Sequence, residues 1–197
     1  MVSAAEQLAQ NFRPGTFFKA KELQQRLLFT LGILIIYRLG TYIPVPGVDL
    51  GVFSGFLDAG TSGGFGDRLN MFSGGAVERM AVFALNVMPY ISASIIMTLM
   101  KGSVPSLKEL DKEGQQGRQQ INQYTRYLTL VLAAFQAFGV AKLIERSGAA
   151  IDPGVFFQTS TVITLVGGTM FLMWLGEQIT ARGVGNGVSL IIFAGIV

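Results

Sequence analysis

Few residues in this sequence can attack a bond, carry a proton or hold a metal. The 197 residues include no histidine and no cysteine. That removes the usual general base, the commonest metal ligand, thiolate sites and any disulfide framework. The most suggestive run is Gly183-Val184-Gly185-Asn186-Gly187, whose glycines resemble a phosphate cradle. Val188 stands where a dinucleotide fingerprint needs its third glycine, no strand precedes the run, and no Lys-Ser/Thr pair follows it. A turn capping the next apolar segment fits better, and a helix-packing pair of Gly183 and Gly187 is a weak reading for a loop. No Gly-x-Ser-x-Gly elbow occurs, and no apolar segment contains an aspartate for intramembrane proteolysis. The chain therefore reads as a non-enzyme, without cofactor or metal.

What remains is a handful of polar atoms inside long apolar segments. Half of the residues are hydrophobic, 14% are charged and the mean hydropathy is +0.49. Soluble domains carry about a quarter of their residues as charges, so the class is an all-α membrane protein. A crossing helix needs about 20 apolar residues. Span 1 covers 27–43, broken only by Arg38 and stopped by Pro44 and Pro46; span 2 covers 80–100, span 3 127–144 and span 4 155–176. A fifth begins at 188 and is still apolar at 197. Basic residues precede span 1, but no small-x-small site follows it, so it reads as a span rather than a cleaved signal. Arg38 is expected to snorkel to the interface, and Gln136 to join two helices by a hydrogen bond. Asn86, Ser92, Ser94 and Thr98 make span 2 partly wettable, and Pro89 is expected to kink it.

The segments between the spans set the orientation. Segments 1–26, 101–126 and 177–187 hold ten of the fifteen Lys and Arg residues, while 44–79 and 145–154 with the adjoining span end hold four. The positive-inside rule then places the N-terminus in the cytoplasm. Thr16 to Arg26 reads as a short basic interfacial helix. The outer loop 44–79 contains nine glycines and an apolar patch at 69–72, which suggests a re-entrant piece shielded by protein. On span 2, Val87 and Ile91 lie four residues apart, and Val188 and Ile192 repeat that spacing on span 5. Such pairs are usually ordinary lipid or helix contacts; the sharper reading is an apolar constriction that stops ions by dewetting. A small-solute transporter and a helix-packing scaffold stay open on the residues alone.

Two motifs narrow the choice: Met71–Ala76 (MFSGGA) followed by Phe83–Ile96 (FALNVMPYISASII), and Trp174–Ile192 (WLGEQITARGVGNGVSLII). With Arg26–Phe29 (RLLF), Tyr42–Gly47 (YIPVPG) and Gln123–Tyr127 (QYTRY), they resemble the SecY family, channel subunits of the bacterial protein-conducting translocon. Asn86 stands where relatives commonly have Gly, and Thr98 where they often have Gln. The resemblance implies a bundle of five of an expected ten spans, one inverted-repeat half, with a re-entrant plug helix. It assigns Asp67, Arg68, Leu69, Asn70, Met71 and Phe72 to the plug, and Val87, Ile91, Val188 and Ile192 to the pore ring. Asn86, Pro89 and Ser92 fall on one side of the lateral gate; Lys108, Lys112, Arg118, Arg126 and Arg182 face cytoplasmic partners. The implied setting is the bacterial inner membrane. The implied partners are SecE, SecG, the SecA motor, the ribosome with its nascent chain, secretory and membrane-protein substrates, lipid, and the C-terminal half of the same protein.

Overall fold

The computed structural model describes residues 21–60 and 75–196, and among these the chain is helical, with no strand. In chain order the helices are α1 (Lys21–Gly40), α2 (Leu50–Gly60), α3 (Met88–Ser103), α4 (Pro105–Lys112), α5 (Gln115–Arg146), α6 (Val155–Arg182) and α7 (Gly187–Ile196). Asp67 to Phe72, expected to form a plug, and the stretch before Lys21 lie outside the described residues.

The longest helices, α5 and α6, are both long and apolar enough to cross a membrane. At 1.5 Å per residue α5 spans about 48 Å, so its polar first turns extend beyond a hydrocarbon core of about 30 Å. Its buried residues include Ile121, Thr125, Thr129, Ala133, Ala137 and Ala141, a stripe at every fourth position. On α6, Phe157, Thr161, Leu165, Thr169 and Met173 repeat that spacing. Stripes at intervals of four present i±4 ridges for direct helix packing, and small residues let the backbones approach closely. The other faces stay apolar: Phe135, Phe156, Ile163 and Trp174 are exposed. In α1 a single stripe, Thr30, Ile33, Tyr37 and Gly40, is buried, while Leu28, Leu31, Ile35 and Leu39 are not. Helices apolar on every side suit a lipid surround.

Span 2 departs from its expected form. The segment 80–87 is not helical; α3 begins at Met88, and Pro89 sits in its first turn. Proline is favoured there because its missing N–H would have no intrahelical partner anyway, so it starts the helix instead of kinking it. The preceding backbone turns sharply through positive φ at Met80 (40°) and Asn86 (49°). Its polar groups are paired within protein: the Val45 N–H donates to the Met80 carbonyl (2.8 Å) and the Val82 N–H to that of Ile43 (2.9 Å). This pairing is what irregular backbone at membrane depth requires. The same clasp ends α1 at Gly40 and holds Tyr42 to Asp49 against the α5–α6 connection, where the Asp49 N–H donates to the Ala149 carbonyl (2.7 Å). Asp49 then opens the unexpected helix α2, its Oδ1 accepting from the N–H groups of Gly51 (2.9 Å) and Val52 (3.3 Å).

Three buried clusters hold the bundle. Ile33, Tyr37, Phe83, Val87, Leu172, Leu175, Ile179 and Ile191 join α1, the 81–87 turns, α6 and α7. Phe53, Met80, Ile144, Ala149 and Phe157 close the opposite end, and Val45, Ala137 and Leu165 lie between. A stacked row, Tyr37–Phe83–Phe171–Trp174, with centroid spacings of 6.1, 6.1 and 5.9 Å, ties α1 to α6 through the turn segment.

Candidate functional site

The four aliphatic positions singled out for a constriction come together. Val87, at the N-cap of α3, is buried in the first cluster at 1% exposure, and Ile91, Val188 and Ile192 pack at its edge. Those three also line a cavity of about 340 Å³, with Tyr90, Ser94 and Ser189 among their neighbours. Ile191, next to Ile192, is fully buried in the cluster. The i, i+4 spacing on α7 thus turns Val188 and Ile192 to the open groove while Ile191 anchors the helix.

A second cavity of about 480 Å³ lies toward α5 and α6 and shares Tyr90, Asn186 and Val188 with the first. Its wall is polar: Asn122, Thr125, Arg126, Glu177, Gln178 and Thr180. The Arg126 guanidinium grips the Glu177 carboxylate with two parallel bonds, Nε to Oε1 at 2.9 Å and Nη2 to Oε2 at 2.6 Å. A polar chamber thus opens onto an aliphatic patch with two serines.

The glycine run of 183–187 forms the turn that sets α7 against α6 beside this groove. Gly185 takes a positive φ of 78°. Asn186 caps α7, its Oδ1 accepting from the N–H groups of Val188 (3.1 Å) and Ser189 (3.3 Å). Gly187 lies directly on the backbone of Gly176, and a side chain there would strike the Gly176 carbonyl. Small-residue packing therefore operates here after all, between Gly187 and Gly176 rather than between Gly183 and Gly187. The turn is tied down by the Gly187 N–H donating to Thr180 Oγ1 (2.9 Å) and the Val184 N–H to Thr30 Oγ1 (3.2 Å).

Asn86 is buried at 4% exposure in left-handed backbone, and its Oδ1 accepts from the Val87 N–H at 2.9 Å. Glycine and asparagine are the residues that visit this conformation at least cost, which accounts for an asparagine here. The buried Tyr37 hydroxyl is turned toward the same Asn86, although the contact falls short of full hydrogen-bond geometry. Pro89 is buried too, so Ser92, half-buried, is the one of the three residues expected at a lateral gate with surface to offer.

Elsewhere the basic residues divide. Lys108, Lys112, Arg118 and Arg182 are exposed at the end of the bundle that carries α4, whereas Arg126, though also exposed, is engaged with Glu177. Lys101 pairs with Asp111 at 3.5 Å and folds α4 against the end of α3. Among the described residues Arg38 is half-buried and makes no ion pair, and Gln136 forms no hydrogen bond to another helix. At the opposite end Glu145 accepts from both Gln158 (2.9 Å) and Lys142 (3.2 Å), joining the end of α5 to the start of α6. Those two bonds, Gln158 first, hold its carboxyl below the ordinary value of 4.5. Among the described residues no group of acidic side chains could hold a metal ion. Residue type alone does not mark Tyr90, Glu177 or Asn186; an Asn just before an apolar run is the signal for the last.

A family model, SecY, matches residues 81–197. The chain is 52% identical over 194 residues to the protein translocase subunit SecY of Escherichia coli K12, covering 94% of this chain and 44% of that protein. It is 51% identical to the same subunit of Buchnera aphidicola (94% and 54% covered) and 49% identical to that of Vibrio cholerae (94% and 43%). The chain thus spans about half the length of these curated relatives. Among solved structures it resembles Sec61 in the canine ribosome–channel complex from the endoplasmic reticulum. The TM-score is 0.63 at 20% identity, over 89% of this chain and 37% of that one. A structure described as a protein-conducting channel aligns equally well. At this identity the two structures bear on the fold alone.

Proposed function

The chain belongs to the SecY family, and on that premise we propose that it supplies one half of the wall of a protein-conducting channel, with no catalytic site of its own. The observation that carries the reading is the convergence of Ile91, Val188 and Ile192 on one cavity beneath a polar chamber, with Val87 packed behind them. An unfolded polypeptide cannot enter hydrocarbon, because each unpaired peptide group costs several kcal/mol there. A hydrated groove removes that cost, and a collar of branched aliphatic side chains can close around the chain while resisting ions by dewetting.

The remaining roles follow as parts of the same proposal. The segment 67–72 acts as a plug from the outer side. The exposed face of α3, with Ser92, Ile95 and Leu99, forms one side of a lateral gate that releases apolar segments into lipid. Buried Asn86 and Pro89 fix where that face begins. The basic end, with Lys108, Lys112, Arg118 and Arg182 exposed, faces the cytoplasm and meets the SecA motor or the ribosome; SecE, SecG and the C-terminal half complete the assembly in the bacterial inner membrane.

The test is site-specific crosslinking of a stalled secretory chain to single cysteines at Ile91, Val188 or Ile192, within these 197 residues that contain no cysteine of their own. Strong adducts at these three are expected, with weak ones at the buried Val87 and none at lipid-facing Phe135. Silence at all three alongside labelling at Phe135 would refute the reading.

A further inference from the structure

Two packed units carry the opposite walls of the groove. On one side α6 and α7 meet backbone to backbone at Gly176 and Gly187, reinforced by the Gly187–Thr180 bond, so α7 with Val188 and Ile192 must follow α6. On the other, α3 with Tyr90 and Ile91 packs along α5. At the far end α5 and α6 are clamped by direct contact of Ile144 with the Phe157 cluster and by the Glu145–Gln158 bond. Toward the basic end the cavity of about 480 Å³ lies between them, lined by Asn122, Thr125 and Arg126 of α5 and by Glu177, Gln178 and Thr180 of α6.

Across that cavity the two units are bridged by the bidentate Arg126–Glu177 pair, next in sequence to the Gly176 on which α7 rests, while Val87 and Ile91 of the α3 side pack on the first cluster with α6 and α7. A guanidinium–carboxylate fork fixes distance and angle together, which a lysine or a single bond does not. The side chains are 48% and 30% exposed, so water and salt reach the pair and it can be broken without unfolding the bundle.

We propose that Arg126 and Glu177 are positioning residues that set the gap between Ile91 on α3 and Val188 and Ile192 on α7. The consequence for conduction rests on the channel reading; the geometric claim does not. Breaking the fork lets α6 and α7 swing away about the clamped end, and the aliphatic collar widens.

The experiment uses the full-length protein in vesicles with Ile91→Cys and Ile192→Cys, and measures the rate of thiol–thiol crosslinking. Arg126→Glu and Glu177→Arg should each slow it by about two- to fivefold, the range of a partly exposed pair. The reciprocal swap should return it to within about twofold of the parent, as expected for a direct interaction in a double-mutant cycle. Arg126→Lys, which keeps charge and loses the fork, should fall between, and covers the case in which a charge reversal fails to accumulate. About 1 M salt should slow the parent and leave Arg126→Gln unaffected. Single variants that crosslink at the parent rate, or a swap that recovers nothing, overturn the proposal. Ion leak read in parallel separates the two ideas. Crosslinking that moves while leak ignores even Ile91→Ser sinks the channel reading and leaves the positioning role standing; unchanged crosslinking with a leak raised by Ile91→Ser does the reverse.

Discussion

Asn86 offers the sharpest test of how the irregular segment before α3 places Val87. Its φ of 49° is left-handed, and its side chain holds the Val87 N–H at 2.9 Å in a buried setting. Replacing it by glycine removes the acceptor but keeps the conformation available. Leaving a buried donor unpaired costs about 1–3 kcal/mol, and glycine's freedom in the unfolded chain adds a few tenths more. Replacing it by alanine removes the same acceptor and also imposes the left-handed penalty of about 1–2 kcal/mol on a residue with a Cβ. The difference between the two variants therefore reads the left-handed penalty less glycine's few tenths, about 0.5–1.5 kcal/mol, with alanine the less stable; valine, β-branched, should be worse again. The assay is reversible unfolding of the detergent-solubilised full-length protein, followed by circular dichroism, with vesicle ion leak as the functional companion. Glycine and alanine variants of equal stability would show that this position does not need left-handed backbone, and that asparagine is there for its side chain alone.

Two further expectations rest on separate contacts. Gly187→Ala drives a methyl group into the Gly176 carbonyl and should cost at least about 2 kcal/mol, lowering the yield of folded protein, whereas Gly139→Ala, with open space around it, should be neutral or slightly stabilising. The carboxyl of Glu145 is depressed by its bonds from Gln158 and Lys142, so it contributes stability that is present above its unfolded pKa and is lost as pH falls through the lower folded value. Unfolding measured from neutral pH down through the carboxylate range should show that loss in the parent and a flatter profile in Glu145→Gln; identical profiles would show that the pairing contributes nothing.

How far the residues alone disclose the molecule differs from element to element. Helices α5 and α6 are legible because an uninterrupted apolar run has a strong preference for helix in lipid. Span 2 misleads for the same reason: apolar continuity from Met80 to Met100 does not distinguish a helix from a shielded turn, and only the clasp of Val45 on Met80 and of Val82 on Ile43 makes the turn affordable. Helix α2 has only a local signal, an Asp49 N-cap before Leu50 and Phe53, and the nine glycines of 44–79 mask it as a loop. The aliphatic pairs on α3 and α7 were visible as i, i+4 repeats, but such repeats are common, and their meeting on one cavity depends on how the helices cross.

Composition and periodicity determine by themselves that this chain lives among apolar neighbours, that it offers no histidine or cysteine, and which stretches can form long helices. These are properties of single residues and their near neighbours, set by solvation and backbone hydrogen bonding. Tertiary structure alone decides that Gly187 meets Gly176, that Arg126 finds Glu177 fifty-one positions away, and that Ile91 faces Val188 and Ile192 across a groove. Each of those depends on the distance between helix axes, which side-chain volume and shape settle only once the helices pack.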